Sequence, residues 1–203
     1  MSPGIVYDRR LYWNSLWHQK SYPFALNIVP LLRYNDDQGK IGRVVLDLGC
    51  SSNPVSNWLD LSKHRRVLLD VSCHVRDLGD LPDAPVTVAC DLCLFQEGHP
   101  DYKAYRETLK RACIFKFDAV ISADNLINYI PWRSVFRLIH RDLRNRGLLF
   151  ICFGVDVGRG EAFHRERPSS TREVLDFFTE DLGCRCLEDC GERNGYGIVL
   201  EKQ

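Results

Sequence analysis

Three aspartates stand where apolar runs stop: Asp47, Asp70 and Asp91. Carboxylates in such positions are candidates for binding a ligand rather than for packing a core. The first lies in Val45-Leu46-Asp47-Leu48-Gly49-Cys50, followed by Ser51-Ser52-Asn53-Pro54. Gly49 permits a sharp backbone turn. Asn53 and Pro54 read as the N-cap and first residue of a helix, whose free N–H groups would face the turn. A carboxylate two residues before that glycine repels a pyrophosphate and attracts an amino group. Asp70 follows Gly49 by 21 residues, close to the roughly 20-residue gap that separates a glycine turn from an acid binding a ribose hydroxyl. Asp91 with Leu92 could take an adenine amino group, although a turn or cap acid would read the same. A fourth cluster, Ser122-Ala123-Asp124-Asn125 with Tyr129 beyond it, crowds polar groups at the end of another apolar run.

The elements that must position these residues alternate along the chain. Continuous apolar runs predict strands at Val44–Leu48, Val67–Val71, Val86–Cys90, Phe117–Ser122 and Leu148–Phe153. Helices are expected from Pro54, from Pro100 to about Ala112, from Pro131 to a stop at Gly147, and from the capping box Ser170-Thr171-Arg172-Glu173 to Gly183. Two closing strands, near Cys184–Glu188 and Gly197–Glu201, flank a turn-rich stretch and read as an antiparallel hairpin. Alternating strands and helices signal an α/β, Rossmann-like, doubly wound sheet. Ligands then bind at the carboxyl ends of the strands, where all four polar clusters fall. Residues 1–40 read as an aromatic, helical lead-in and 41–203 as the sheet domain, in one folding unit. In the lead-in Pro30 is expected to kink or end a helix, and Asn35–Gly39 to form a polar turn.

Composition narrows the partners. The chain has 203 residues, with 27 Lys plus Arg against 27 Asp plus Glu. A zero net charge argues against nucleic acid as the main partner. No apolar run reaches the roughly 18 residues of a membrane span, and the N-terminal residues lack a signal-peptide core. The nine cysteines are odd in number, and Cys90, Cys113 and Cys152 sit in apolar stretches. Buried thiols in a reducing cytoplasm account for this better than a disulfide framework.

With these residues in place, the sequence resembles the class I S-adenosylmethionine-dependent methyltransferases, the small-molecule kind grouped as type 11. The resemblance spans about residues 44–202. It rests on residues 45–50, on Leu68-Leu69-Asp70-Val71, on Phe117–Ser122, on Leu126–Tyr129, and on Leu143–Leu149 as a helix-end turn into the fifth strand. It implies a seven-stranded, mostly parallel sheet with an antiparallel last strand. It implies S-adenosyl-L-methionine as cofactor, held by Asp47, Gly49, Cys50, Ser51, Asn53, Asp70, Val71, Asp91, Leu92, Ser122, Ala123 and Asn125. The family usually has a second glycine where this chain has Ser51. A left-handed backbone there would cost an L-residue about 1–2 kcal/mol.

Methyl transfer is an in-line displacement, which needs two reactants held in line and a base only when the nucleophile arrives protonated. Candidate bases are Asp124, Tyr129, His164 and His18. His164 lies in the polar connection 154–169, a lid or specificity loop or simply a solvated one. Tyr12, Trp13 and Trp17 are candidates for a substrate wall or lid, or for a helix packed on the sheet edge. No Asn-Pro-Pro-aromatic tetrad and no Pro-Cys pair follows the fourth strand, which disfavours nucleic-acid amino and cytosine C5 chemistry. Metal is not expected. In the implied sheet order, Cys90 and Cys93 lie on the opposite edge from Cys184, Cys186 and Cys190, so they cannot share an ion. A divalent ion at Asp124, Asn125 and Asp156 is a weaker option. Two readings stand beside a small-molecule methyltransferase. One is a non-catalytic protein of the same fold that binds a nucleoside or a protein. The other is an NAD-dependent oxidoreductase, opposed by Asp47, Ser51, Pro54 and the terminal hairpin. The oligomeric state is left open.

Overall fold

The computed structural model describes residues 28–123, 126–154, 167–190 and 196–203. The aromatic lead-in residues Tyr12, Trp13, Trp17 and His18 lie outside them, as do Asp124, Asn125, Asp156 and His164.

Seven strands form one sheet: β1 Val44–Leu48, β2 Arg65–Asp70, β3 Val86–Ala89, β4 Phe117–Ser122, β5 Leu143–Phe153, β6 Cys184–Cys190 and β7 Tyr196–Lys202. Their order is β3-β2-β1-β4-β5-β7-β6. β1 to β5 pair in parallel, and β7 runs antiparallel to both β5 and β6. The Rossmann-like sheet with a reversed last strand, implied by the resemblance, is the observed one. β3 and β6 are the two edges.

Both faces are covered, as a parallel sheet requires. On one face Leu46, Leu69, Val120 and Leu149 pack with Tyr105 and Leu109 of α2 (Pro100–Arg111), with Trp132, Phe136 and Ile139 of α3 (Trp132–Asp142), and with Val174 of α4 (Thr171–Asp176). α4 runs on as a π-turn over Phe177–Asp181, whose Phe177 and Phe178 rings meet Trp132 and Phe136 edge-on at 4.8 and 5.2 Å. Truncating a buried phenylalanine such as Phe136 to Ala typically costs 3–5 kcal/mol. On the other face Val45, Ala119, Ile121 and Phe150 pack with Ile28 and Leu32 of α1 (Val29–Asp37).

Four expectations are corrected. Pro30 opens α1 instead of ending a helix, because a first-turn residue needs no N–H partner. Asn35 and Asp36 are buried inside α1, and the turn is confined to Gln38 and Gly39. α3 ends at Asp142 and β5 begins at once, five residues before the predicted start. Lys202 Nζ stops that helix, donating to the carbonyls of His140 at 2.7 Å and Leu143 at 3.0 Å. Gly147 is therefore a strand residue, needed because a Cβ there would meet Leu143 Cδ1 at 2.7 Å and Arg144 O at 2.8 Å. Cys113 is exposed, in the left-handed conformation (φ 54°) just beyond α2, while Cys90 and Cys152 are buried as expected.

Candidate functional site

β1 ends in a turn shaped by two left-handed residues, Gly49 (φ 64°) and Ser51 (φ 53°). The Gly49 and Cys50 amides donate to Leu69 O on β2 at 2.7 and 3.1 Å. The turn therefore stays tied to its neighbour strand after the ladder ends. A Cβ on Gly49 would lie 3.0 Å from Leu126 Cδ1, so the glycine meets the segment that follows β4. Ser51 occupies the position where the resemblance places a glycine, and it takes the left-handed backbone there.

Asp70, at the tip of β2, spans this turn. Its Oδ2 accepts the Ser51 amide at 3.0 Å and its Oδ1 accepts the Ser72 amide at 2.9 Å. Asp70 is 8% exposed and Ser51 9%, so the carboxylate lies just beneath the surface beside the turn. Val71 beside it is half-buried. Asp91 at the β3 tip accepts the Cys93 amide at 2.8 Å, while its own amide donates to Asp101. It caps the short 3-10 turn Leu92–Leu94. At the β4 tip Ser122 and Ala123 are buried. Asn128 donates from Nδ2 to Gly154 O at the end of β5, at 2.9 Å. Ser122 Oγ and Asn128 Oδ1 are buried and find no hydrogen-bond partner among the described residues. Tyr129 is half-buried, and its carbonyl accepts from Cys93 Sγ at 3.2 Å. The described members of the predicted set thus come together along the carboxyl ends of β1 to β4.

Asp47 and the segment after it differ from expectation. No α-helix starts at Asn53-Pro54. Asn53 is exposed, Pro54 is extended, and only a four-residue 3-10 turn, Val55–Trp58, follows. Within this turn the Ser56 amide donates to Asp47 Oδ2 at 2.8 Å. Asp47 is 1% exposed. Burial pushes its carboxyl up to about 6, the Ser56 contacts and the Arg66 guanidinium pull the other way, and the Asp70 charge adds to the rise. Burial also raises the Cys50 thiol well above its ordinary range, with Asp70 and Asp47 adding to it, so Cys50 is a neutral wall of the turn.

Several contributors were not singled out in the sequence. Ser56, Ser72 and Asn128 carry no signal beyond their polarity. Arg66 lies just before the predicted strand Val67–Val71, which in the structure starts earlier, at Arg65. The two-residue period puts Arg66, Leu68 and Asp70 on one face of β2, beside Val45 and Asp47 of β1 in register.

Among the described residues, no three His, Cys, Asp or Glu side chains gather as a metal ion would need.

No protein-family model and no curated protein sequence matches the chain. Solved structures do. A 1,6-didemethyltoxoflavin-N1-methyltransferase from Burkholderia thailandensis, with 1,6-didemethyltoxoflavin and S-adenosylhomocysteine bound, superposes with a TM-score of 0.68 at 15% identity, over 95% of this chain and 86% of that one. The N-methyltransferase NodS from Bradyrhizobium japonicum, in complex with S-adenosylhomocysteine, superposes with a TM-score of 0.66 at 14% identity, over 95% and 97%. A TehB-like methyltransferase from Corynebacterium glutamicum gives 0.58 at 20% identity, over 95% of both chains. The fold is that of the class I S-adenosylmethionine-dependent methyltransferases.

Proposed function

We propose that the chain binds S-adenosyl-L-methionine and transfers its methyl group to a small-molecule acceptor. The observation that carries this reading is the Asp70 carboxylate fixed across the Gly49–Ser51 turn, with its two oxygens engaged by the Ser51 and Ser72 amides. An acid so held at the second strand tip suits a ribose diol, because its lone pairs are already directed. The neighbours crystallised with S-adenosylhomocysteine share the sheet on which this arrangement stands.

The residues present fit the cofactor. Gly49 keeps the turn free of a side chain, where a Cβ would crowd Leu126. Buried Asp47 supplies negative charge below a cationic amino acid moiety. Asp91 and Leu92 would border the adenine, and Asp70 with Val71 the ribose. Ser122, Ala123 and Asn125 would line the far side, near Ser122 Oγ and Asn128 Oδ1, which have no partner among the described residues. Cys50, Ser51 and Asn53 shape the remaining wall.

When bound, S-adenosylmethionine supplies an electrophilic methyl on a sulfonium. The chain's work is to align the acceptor and exclude water, which can contribute several kcal/mol. Asp124, Tyr129 and His164 are the groups proposed to take the acceptor's proton, and Tyr12, Trp13 and Trp17 to close over it. The balanced charge of the chain supports a small acceptor over nucleic acid. Among the described residues no helix is long and apolar enough to cross a membrane. The unbridged thiols of Cys50 and Cys184 suit a reducing cytoplasm.

Thermal melts with S-adenosylmethionine, S-adenosylhomocysteine and NAD test the reading. At 100 times Kd a ligand adds about 2.7 kcal/mol, or roughly 5–10 °C for a chain of this size. A rise with both adenosyl ligands and none with NAD is expected. No rise at millimolar ligand overturns the proposal. Binding without turnover across a broad acceptor panel would favour the non-catalytic alternative.

A further inference from the structure

Arg66 is the one charged residue in the interior of β2, flanked by His64 and Arg65 on one side and Val67-Leu68-Leu69 on the other. Its side chain is wholly buried. A buried guanidinium is costly unless its donors are satisfied, and an aliphatic residue of similar volume is often as stable or more so. The contacts of this one run toward the β1 turn. Nε and Nη2 grip Asp83 in a two-pronged pair, each bond 2.7 Å. Nη1 donates to Asn57 Oδ1 and, at 3.4 Å, to Ser56 Oγ. Ser56 is fully buried, and its amide is the one that Asp47 accepts. A continuous chain thus runs Asp83, Arg66, Ser56, Asp47, with no water-filled gap needed to connect its members.

We propose that Arg66 is a positioning residue of the cofactor site: anchored by Asp83, its guanidinium holds Ser56 against Asp47 and keeps the Asp47 carboxylate charged beneath the β1 turn, ready for a cationic ligand. This deepens the methyltransferase reading and rests on it. Among the described residues the charged and titratable groups around Asp47 are few. β2 presents Arg66 and Asp70, and the turn presents Cys50, kept neutral by burial. β4 places apolar Ile121 opposite Asp47 in register, and the short Val55–Trp58 turn brings Ser56 and Asn57. Against burial and Asp70, which both favour the neutral acid, Arg66 is the cation that opposes them. With the Asp47 carboxyl near 6, the charge is lost as pH falls through that value, and affinity for a cation falls with it.

The test uses the full chain with 13C-labelled aspartate. The Asp47 carboxyl carbon is titrated by NMR without ligand, and S-adenosylhomocysteine affinity is measured by calorimetry from pH 5 to pH 8. Arg66→Met removes the cation and should raise the Asp47 midpoint, lowering affinity about tenfold near pH 6 and far less at pH 8. Asp83→Asn frees Arg66 from its counter-charge and should move the midpoint down. Arg66→Lys should keep the midpoint near that of the wild type. A purely structural role would not move the two midpoints in opposite directions. If Arg66→Met does not fold, the Asp83→Asn and Arg66→Lys titrations decide. Unchanged midpoints, or shifts of one sign in both charge variants, overturn the role of Arg66 while leaving the methyltransferase reading intact. Failure of the wild type to bind S-adenosylhomocysteine at any pH overturns that reading and this proposal's ligand with it.

Discussion

Asp70 holds the Ser51 amide at 3.0 Å, and the residue it holds is the one non-glycine in the β1 turn with a left-handed backbone. The second strand therefore stabilises a conformation that the first would not keep alone.

Asp70→Asn should expose how much that grip contributes. Two amides donate to the two carboxylate oxygens, and a carboxamide can accept only one of them. Leaving the other buried and unpaired costs about 1–3 kcal/mol. A lower urea midpoint at unchanged slope is expected, with S-adenosylhomocysteine binding weakened about tenfold or more. A variant as stable and as tight-binding as the wild type would refute the assignment of Asp70 to the groove.

At Ser51 the backbone sets the outcome. A β-branched residue tolerates positive φ poorly, so Ser51→Val should lose at least about 1–2 kcal/mol. Ser51→Gly removes the strain but gives up chain stiffness of similar size, about 0.5–1 kcal/mol. Its melting temperature should stay close to that of the wild type. Equal melts for the Val and Gly variants would mean that the φ of 53° is not maintained in solution.

Tyr129 offers a test of base catalysis: its carbonyl accepts from Cys93 Sγ, a contact that Tyr129→Phe leaves in place. Tyr129→Phe should leave cofactor affinity and stability nearly unchanged. If the phenol takes the acceptor's proton, kcat falls by about 100-fold or more. A full kcat assigns that work to Asp124 or His164.

At the opposite end of the strands, Asp36 accepts from His64 Nε2 at 2.9 Å and from the Asp60 amide at 2.8 Å. Burial pushes the Asp36 carboxyl up, but the Asp60 amide, the His64 ring and Lys63 outweigh it and hold it below its usual range. A carboxyl lowered in the folded state stabilises above its unfolded value, and that contribution fades as pH falls through the folded one. Asp36→Asn should therefore cost most at neutral pH and progressively less below about pH 4. Urea melts between pH 3 and pH 7 that show a constant gap would rule this out.

What the sequence made legible were the features set by local period and punctuation. Asp47, Asp70 and Ser122 close buried apolar runs, so the strand tips could be located and the polar clusters placed at one end of the sheet. The misses are residues whose partners lie far away in the chain. Pro54 reads as a helix start, but only the short 3-10 turn Val55–Trp58 follows it. Gly147 reads as a helix stop, but Lys202 ends α3 five residues earlier. Arg66 fell outside the predicted strand Val67–Val71, and its anchor, Asp83, is 17 residues away in the chain. Local propensity carries no information about such claims on a backbone amide or a buried charge.

The place of β7 bears on how the chain comes to be folded. Tyr196–Lys202 lies between β5 and β6, although β6 precedes it in the chain. Until β7 pairs with it, β6 has no neighbour in the sheet and β5 presents an open edge. An exposed edge of buried-type residues, Leu148 to Phe153, is a template for pairing with another nascent chain. Ribosomes stalled before Tyr196 would therefore display an aggregation-prone intermediate, and the same seven residues that finish the sheet also remove that hazard.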